Sequence, residues 1–296
     1  MNNVRISQIS PQRWHHKKPE KSNQFCLYCG AYVGGGSITA SNEEHLIGRR
    51  FVPKGTMENS FNFSFRCCVS CNGRKADIER HVSSFTLLSS PSLETNEIAR
   101  LSAESKAYDD YHPETKVTMG DAIEQQSLEF EYGGATIKLG FTCRTPAASN
   151  YIPELAIYHI QGLFSLITSN GLPPDHNIQL ISKDEIQVHK IYPHTDWGNP
   201  ELVEIIRRAA LLPVCTSLHT GQGHFRACLR QSENGGWFWA LEWNKSLRVV
   251  GSIYTVEEVT SLFMDLPELR WNALPDGSGK MRQEQPSPDL GELLFP

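Results

Sequence analysis

The sequence predicts an α+β protein: a small N-terminal strand–helix module tied by cysteines, followed by a mixed region of antiparallel strands with helices packed on them. Three observations carry this. Two Cys-x-x-Cys pairs, Cys26/Cys29 and Cys68/Cys71, stand thirty-eight residues apart. The second pair sits where an alternating run (Phe61, Asn62, Phe63, Ser64, Phe65) gives way to helix formers from Asn72 to Val82, a change of period from strand to helix. Further along, short alternating runs separated by glycine-rich turns recur with helical stretches between them, the pattern of an antiparallel sheet with helices.

Taken in order, residues 1–24 hold His15, His16, Lys17, Lys18 and Lys21 with little apolar content and read as a flexible basic arm. Residues 25–90 form the cysteine module, and residues 91–150 form a connector. The connector begins with a helix over Ser92–Ala107, whose Leu93, Ile98 and Leu101 share one side, capped by Ser92. It continues as a hairpin, Leu128 to Cys143, turning at Gly133-Gly134. Residues 151–273 are the α+β C-terminal region. A strongly apolar helix over Pro153–Thr168 ends near Asn170-Gly171, and a second helix covers Pro200–Ala210. Strands follow at Leu212–Ser217, His224–Gln231, Trp237–Trp243 and Arg248–Ile253, then a helix from Thr255 to Asp265. Trp237, Trp239 and Trp243 fall on one face of their strand and are expected to pack on the Pro153–Thr168 helix. Residues 274–296 are rich in Pro, Gly, Ser and charge and read as a disordered tail.

The net charge of −5 conceals an asymmetry: up to Val82 there are twelve Lys and Arg against six Asp and Glu, and beyond it sixteen against twenty-seven. A basic front around a cysteine cluster suits a polyanion, because neutralised phosphates release condensed counterions. The acidic remainder is a poor nucleic-acid surface and is expected to sense a partner or regulatory ligand, or to hold two copies together. No apolar run approaches the length of a membrane span and the N-terminus has no apolar core, so a cytoplasmic protein with no membrane partner is expected. Five of the eight cysteines cluster between Cys26 and Cys71, which in a reducing compartment indicates metal rather than disulfides.

Four thiolates from two such turns satisfy the tetrahedral preference of Zn²⁺, so Cys26, Cys29, Cys68 and Cys71 are expected to hold a structural zinc. Cys67 lacks a partner at that spacing and reads as a bystander; Cys143, Cys215 and Cys228 read as core residues. A site closed by four cysteines has no open position for chemistry. Between the knuckles, however, lies Glu43-Glu44-His45-Leu46-Ile47-Gly48-Arg49-Arg50, and after the second comes Asn72-Gly73-Arg74-Lys75. With these elements in this order, the stretch from Cys26 to His81 resembles the zinc-stapled HNH endonucleases, whose module is a ββα-metal fold.

That resemblance implies a phosphodiester hydrolase acting on nucleic acid, with DNA the expected substrate. His45 would be the general base, and Glu44 and Asn72 would bind a catalytic Mg²⁺ or Mn²⁺. Asn62, with Asn59 as a neighbouring candidate, would be the Asn that orients the histidine. Arg49, Arg50, Arg74 and Lys75 would contact phosphates beside a helix opened by Asn72. Free-standing nucleases of this kind commonly serve in defence against phage or foreign DNA. The chain departs from the commonest pattern in carrying Glu before the His, and Asn at the third position. His81 reads as a surface residue, and the dispersed His159, His189, His194, His219 and His224 lack ligand spacing. The alternative is a zinc-stabilised module that binds nucleic acid, or joins partners, without catalysis.

Overall fold

The computed structural model describes residues 23–58, 60, 62–125, 127–132, 135–140, 146–168, 180–254, 256–273, 280–286 and 290–296. The arm through residue 22, Asn59, Phe61, the turn Gly133-Gly134, Cys143 and the Asn170-Gly171 helix end lie outside these residues.

The N-terminal module is a strand pair followed by a helix. Strand β1 (Ser41–His45) pairs antiparallel with β2 (Ser64–Cys68), Ser41 opposite Cys68 and His45 opposite Ser64. Helix α1 (Val69–Leu88) follows without a connecting loop. The helix therefore begins three residues before Asn72, which stands in its first turn rather than at its cap. After a 3₁₀ turn come α2 (Glu97–Asp109), capped by Asn96 rather than Ser92, and α3 (Met119–Gln125). The hairpin is present as β3 (Ser127–Tyr132) and β4 (Ala135–Gly140). Ile98 and Leu101 of α2 do not enter the core; each is more than half exposed.

Helix α4 (Pro146–Thr168) leads into the C-terminal sheet. The sheet has the order β5 (Ile186–Pro193), β9 (Leu247–Ile253), β8 (Trp237–Trp243), β7 (Phe225–Gln231), β6 (Val214–Thr220), antiparallel throughout. Helix α5 (Pro200–Ala209) connects β5 to β6. Central β8 is buried along its whole length and divides by parity. Trp237, Trp239, Leu241 and Trp243 join α4 in one core, while Phe238 and Ala240 join α5 in the other, as a period of two requires. The tryptophans pack as the sequence indicated, with Trp237 edge-on to Phe164 of α4. Beyond β9 the expected helix shortens to α6 (Glu257–Thr260) and a 3₁₀ turn, with the small pair β10 (Asn272–Ala273) and β11 (Lys280–Met281) after it.

Against the expectation of a disordered tail, part of it is ordered. The described part of the tail is docked: α7 (Gly291–Leu294) and Phe295 close the α5 face of the sheet, with Leu294 and Phe295 buried. Arg230 donates to the Leu293 carbonyl at 2.6 Å, and Arg282 is ion-paired with Asp196. The cysteine module and the sheet do not have separate cores. Cys26, Leu46, Phe51, Phe65 and Ile78 share one apolar cluster with α4 and the tryptophan face. Asn244 of the β8–β9 turn donates to the Phe51 carbonyl and to Thr86 of α1.

Candidate active site and zinc site

The first knuckle forms because Gly30 adopts a left-handed φ of 73°, costly for a residue with a Cβ. That turn lets Gly30 N donate to Cys26 O and Cys26 N to Ala31 O. The second knuckle is the β2–α1 junction, with Cys68 as the helix cap and Cys71 in the first turn. Together they bring the ligand atoms of Cys26, Cys29, Cys68 and Cys71 within 4.8 Å of one another. Sulfurs of a tetrahedral Zn–S₄ site stand ~3.8 Å apart at bonds of ~2.3 Å, so the four thiols fit a zinc ion. Cys67 is not among the four, but it is no distant bystander: it is fully buried with its Sγ 3.4 Å from that of Cys26. The hydrogen bond between the two sulfurs holds the Cys26 thiol below its usual pKa against the effect of burial.

Helix α1 lies along β1 and meets several of the remaining predicted residues at successive positions of that strand. Asn72, Lys75 and Glu79 stand at i, i+3 and i+7, one stripe of α1, and this stripe faces β1. Asn72 Nδ2 donates to Asn42 Oδ1 at 2.6 Å and to the Glu43 carbonyl at 3.2 Å. Lys75 Nζ meets Glu44 Oε1 and Glu79 Oε1, each at 2.7 Å, and the His45 carbonyl at 3.1 Å. Glu79 Oε1 also accepts Gly48 N at 3.0 Å and lies 3.3 Å from His159 Nε2 on α4. A Cβ at Gly48 would overlap this carboxylate, which explains the glycine. The Tyr28 hydroxyl donates to Glu44 Oε1 at 3.4 Å.

Lys75 is thus misassigned as a phosphate contact. It is completely buried, and the two carboxylates around it hold its pKa above the ordinary lysine value against the effect of desolvation. Glu44 is also buried, and desolvation raises its carboxyl, with Lys75 acting in the opposite sense. Lys75 therefore fixes Glu44 and the backbone of His45 from inside. Replacing it with Met leaves two carboxylates buried around an apolar chain, a change expected to cost about 3–5 kcal/mol. Urea unfolding of Lys75→Met measures it, and a loss under 1 kcal/mol would remove the lysine from this role.

His45, the last residue of β1, is half-buried, on the strand face opposite Glu44 by alternation. Burial and the nearby Arg49 hold its pKa below the usual histidine value, with Glu43 partly opposing them. Asn62, expected to orient the histidine, contacts the backbone of Ile47 rather than the ring. Its Nδ2 donates to the Ile47 carbonyl at 2.7 Å and its Oδ1 accepts Ile47 N at 3.2 Å, so it clamps the chain two residues after His45. Of the arginines, Arg74 is held bidentate by Glu154 of α4, and Arg50 pairs with buried Asp110 at 3.0 Å while remaining two-thirds exposed. Arg49 is exposed.

The sequence did not signal His159, which α4 delivers to the Glu79 carboxylate from eighty residues away. Nor is His81 on the surface: it is buried edge-on to His112 and Tyr151, with neither ring nitrogen hydrogen-bonded. Desolvation depresses His81, His159 and His224 to about 4 each. A neutral buried imidazole binds fewer protons than the unfolded chain between about pH 6.5 and 4, so stability is full above that window and falls as pH descends through it. Urea unfolding at pH 7.5 and 5.5, with zinc content checked at both, should show this loss. His81→Leu should flatten the slope, and an unchanged slope would exclude His81 as a contributor.

Comparison with protein families, with curated proteins and with solved structures gives no match to this chain.

Proposed function

We propose that the chain is a metal-dependent endonuclease of the HNH type, hydrolysing phosphodiester bonds of nucleic acid, with DNA the favoured substrate. The observation that carries this is the arrangement along β1 of a zinc-compatible ββα unit. A histidine ends β1, the carboxylate beside it is held from α1, and an asparagine amide from α1 binds the same strand.

The second cation, Mg²⁺ or Mn²⁺, requires hard oxygen donors and retains several waters when protein ligands are few. The polar contacts of Glu44 among the described residues fall on Oε1, and those of Asn72 are made through Nδ2. Glu44 Oε2 and Asn72 Oδ1 are then the oxygens offered to a cation. With His159 neutral, Glu44, Lys75 and Glu79 together carry one negative charge, which favours cation binding although the lysine reduces it. Two such oxygens would hold only a sparsely protein-bound, water-rich ion. Such a cation would stabilise charge on the phosphate and on the leaving oxygen.

Because Glu44 and His45 project to opposite faces of β1, they can serve one phosphate only where the strand ends. His45 is that end. A neutral imidazole there accepts the proton of an attacking water, and its depressed pKa keeps it neutral at physiological pH. Asn62 restrains the following residues and so limits the ring's travel. Zinc at the other end stabilises the strand–helix geometry without entering the reaction.

Purified protein given plasmid and Mg²⁺ or Mn²⁺ should produce nicked and linear forms, and omission of the added cation should stop it. Binding without cleavage under every divalent cation tried would favour a zinc-stabilised binding module instead.

A further inference from the structure

The loop after β1, which begins just past His45 in the chain, and helix α2 form an open groove of about 360 Å³ whose lining includes Arg49, Arg50, Lys54, Lys106, Ile98 and Leu101, with no acidic residue. Its charge is only partly compensated. Asp110, completely buried behind it, is shared by Arg50 at 3.0 Å, Lys106 at 2.9 Å and Arg80 at 3.8 Å. One carboxylate thus stands against four cationic lining residues, and Arg49 and Lys54 are exposed to solvent. The position is fixed: the Lys54 amide donates to Ser102 Oγ of α2 at 3.2 Å, tying loop to helix. The apolar part is unusual for a surface. Ile98 is 57% and Leu101 52% exposed, two apolar side chains on one side of α2.

We propose that this groove holds an unpaired nucleotide of the substrate strand, with its phosphates against Arg49, Arg50 and Lys54 and its base against Ile98 and Leu101. The inference rests on the endonuclease reading for its link to His45, four residues before Arg49. The occupant follows from the mixture of groups. A duplex presents phosphates and sugars outward and keeps its base faces stacked, so it gives a cationic rim what it needs but offers two exposed aliphatic side chains little. An unpaired nucleotide supplies both an anion and an apolar face. The volume lies in the range of small-ligand sites, and guanidinium planes of Arg49 and Arg50 suit both phosphates and bases.

The test uses full-length His45→Ala protein without added divalent cation, so that binding is read apart from cleavage. Fluorescence anisotropy compares a labelled single-stranded 20-mer with the same sequence as a duplex. The single strand should bind at least ~10-fold more tightly. Leu101→Glu should weaken it ~10-fold or more, Lys54→Ala should lower the salt-dependence slope by ~0.7, and Leu211→Glu, exposed elsewhere, should change nothing. Leu101, Lys54 and Leu211 are exposed, and thermal melting confirms folding of each variant. Equal or tighter duplex binding, or wild-type single-strand affinity in Leu101→Glu, would overturn the groove assignment. Absence of cleavage by the wild-type chain, with this binding pattern intact, would overturn only hydrolysis.

Discussion

Removing zinc is expected to unfold the N-terminal module and to lower the thermal midpoint of the whole chain. The strand pair has five residues on each side, and an isolated two-stranded hairpin is marginal in water. What joins residues 26–29 to the β2–α1 junction is chiefly the cysteine cluster and the small apolar core beneath it. Structural zinc sites contribute about 10–16 kcal/mol of apparent binding free energy near neutral pH. Even partial loss exceeds what a single side-chain contact supplies. Because that core continues into α4 and the tryptophan face, the damage should spread. A fall of about 10 °C or more after chelation under reducing conditions is expected, each kcal/mol moving a chain of this size by about 2 °C. Cys68→Ser and Cys71→Ser should purify without zinc, whereas Cys67→Ala should retain one zinc per chain, since Cys67 touches Cys26 without belonging to the four. Unchanged melting after complete zinc removal, or zinc loss in Cys67→Ala equal to that in Cys68→Ser, would contradict the site as described.

Legibility of the fold depended on how local the determining forces were. Strand β8 was read to the residue because alternating indoles bounded by Asn234-Gly235-Gly236 and Asn244 leave no competing period. Strand β5 was not anticipated: its register with β9 shifts between Val188 and Lys190, so a bulge breaks the alternation, and His189 and Lys190 dilute its apolar content. The tail reads as disordered because Pro, Gly and Ser dominate its composition. Its order comes from Leu294 and Phe295, two apolar side chains that find the α5 face only once the sheet exists.

The same distinction applies at the site. The four cysteines are legible because their partners lie within one small module. Spacing placed Lys75 on the right helix but could not tell an inward stripe from an outward one. Its burial is decided by Glu44 across the strand, Glu79 one turn on, and the cover of α4 carrying His159. Arg74 likewise meets Glu154 of α4, a contact eighty positions distant that no local pattern announces. Shared helical spacing places Ile98 and Leu101 on one side of α2 but does not tell which side is buried; α2 buries Ala99, Ala103 and Ala107 instead.

The reading of the chain as a hydrolase depends on the imidazole of His45. General-base catalysis by a positioned side chain is worth about 10²–10⁴ in rate. Deleting a half-buried ring from a strand end, away from the cysteine cluster, should leave zinc content and melting close to wild type. The most direct measurement is the rate of plasmid cleavage by His45→Ala against the wild type, with saturating Mn²⁺ and zinc stoichiometry verified in both. A loss of at least ~10²-fold with one zinc per chain retained is the expected result; cleavage within a few-fold of wild type would contradict the assignment and, with it, the proposed site.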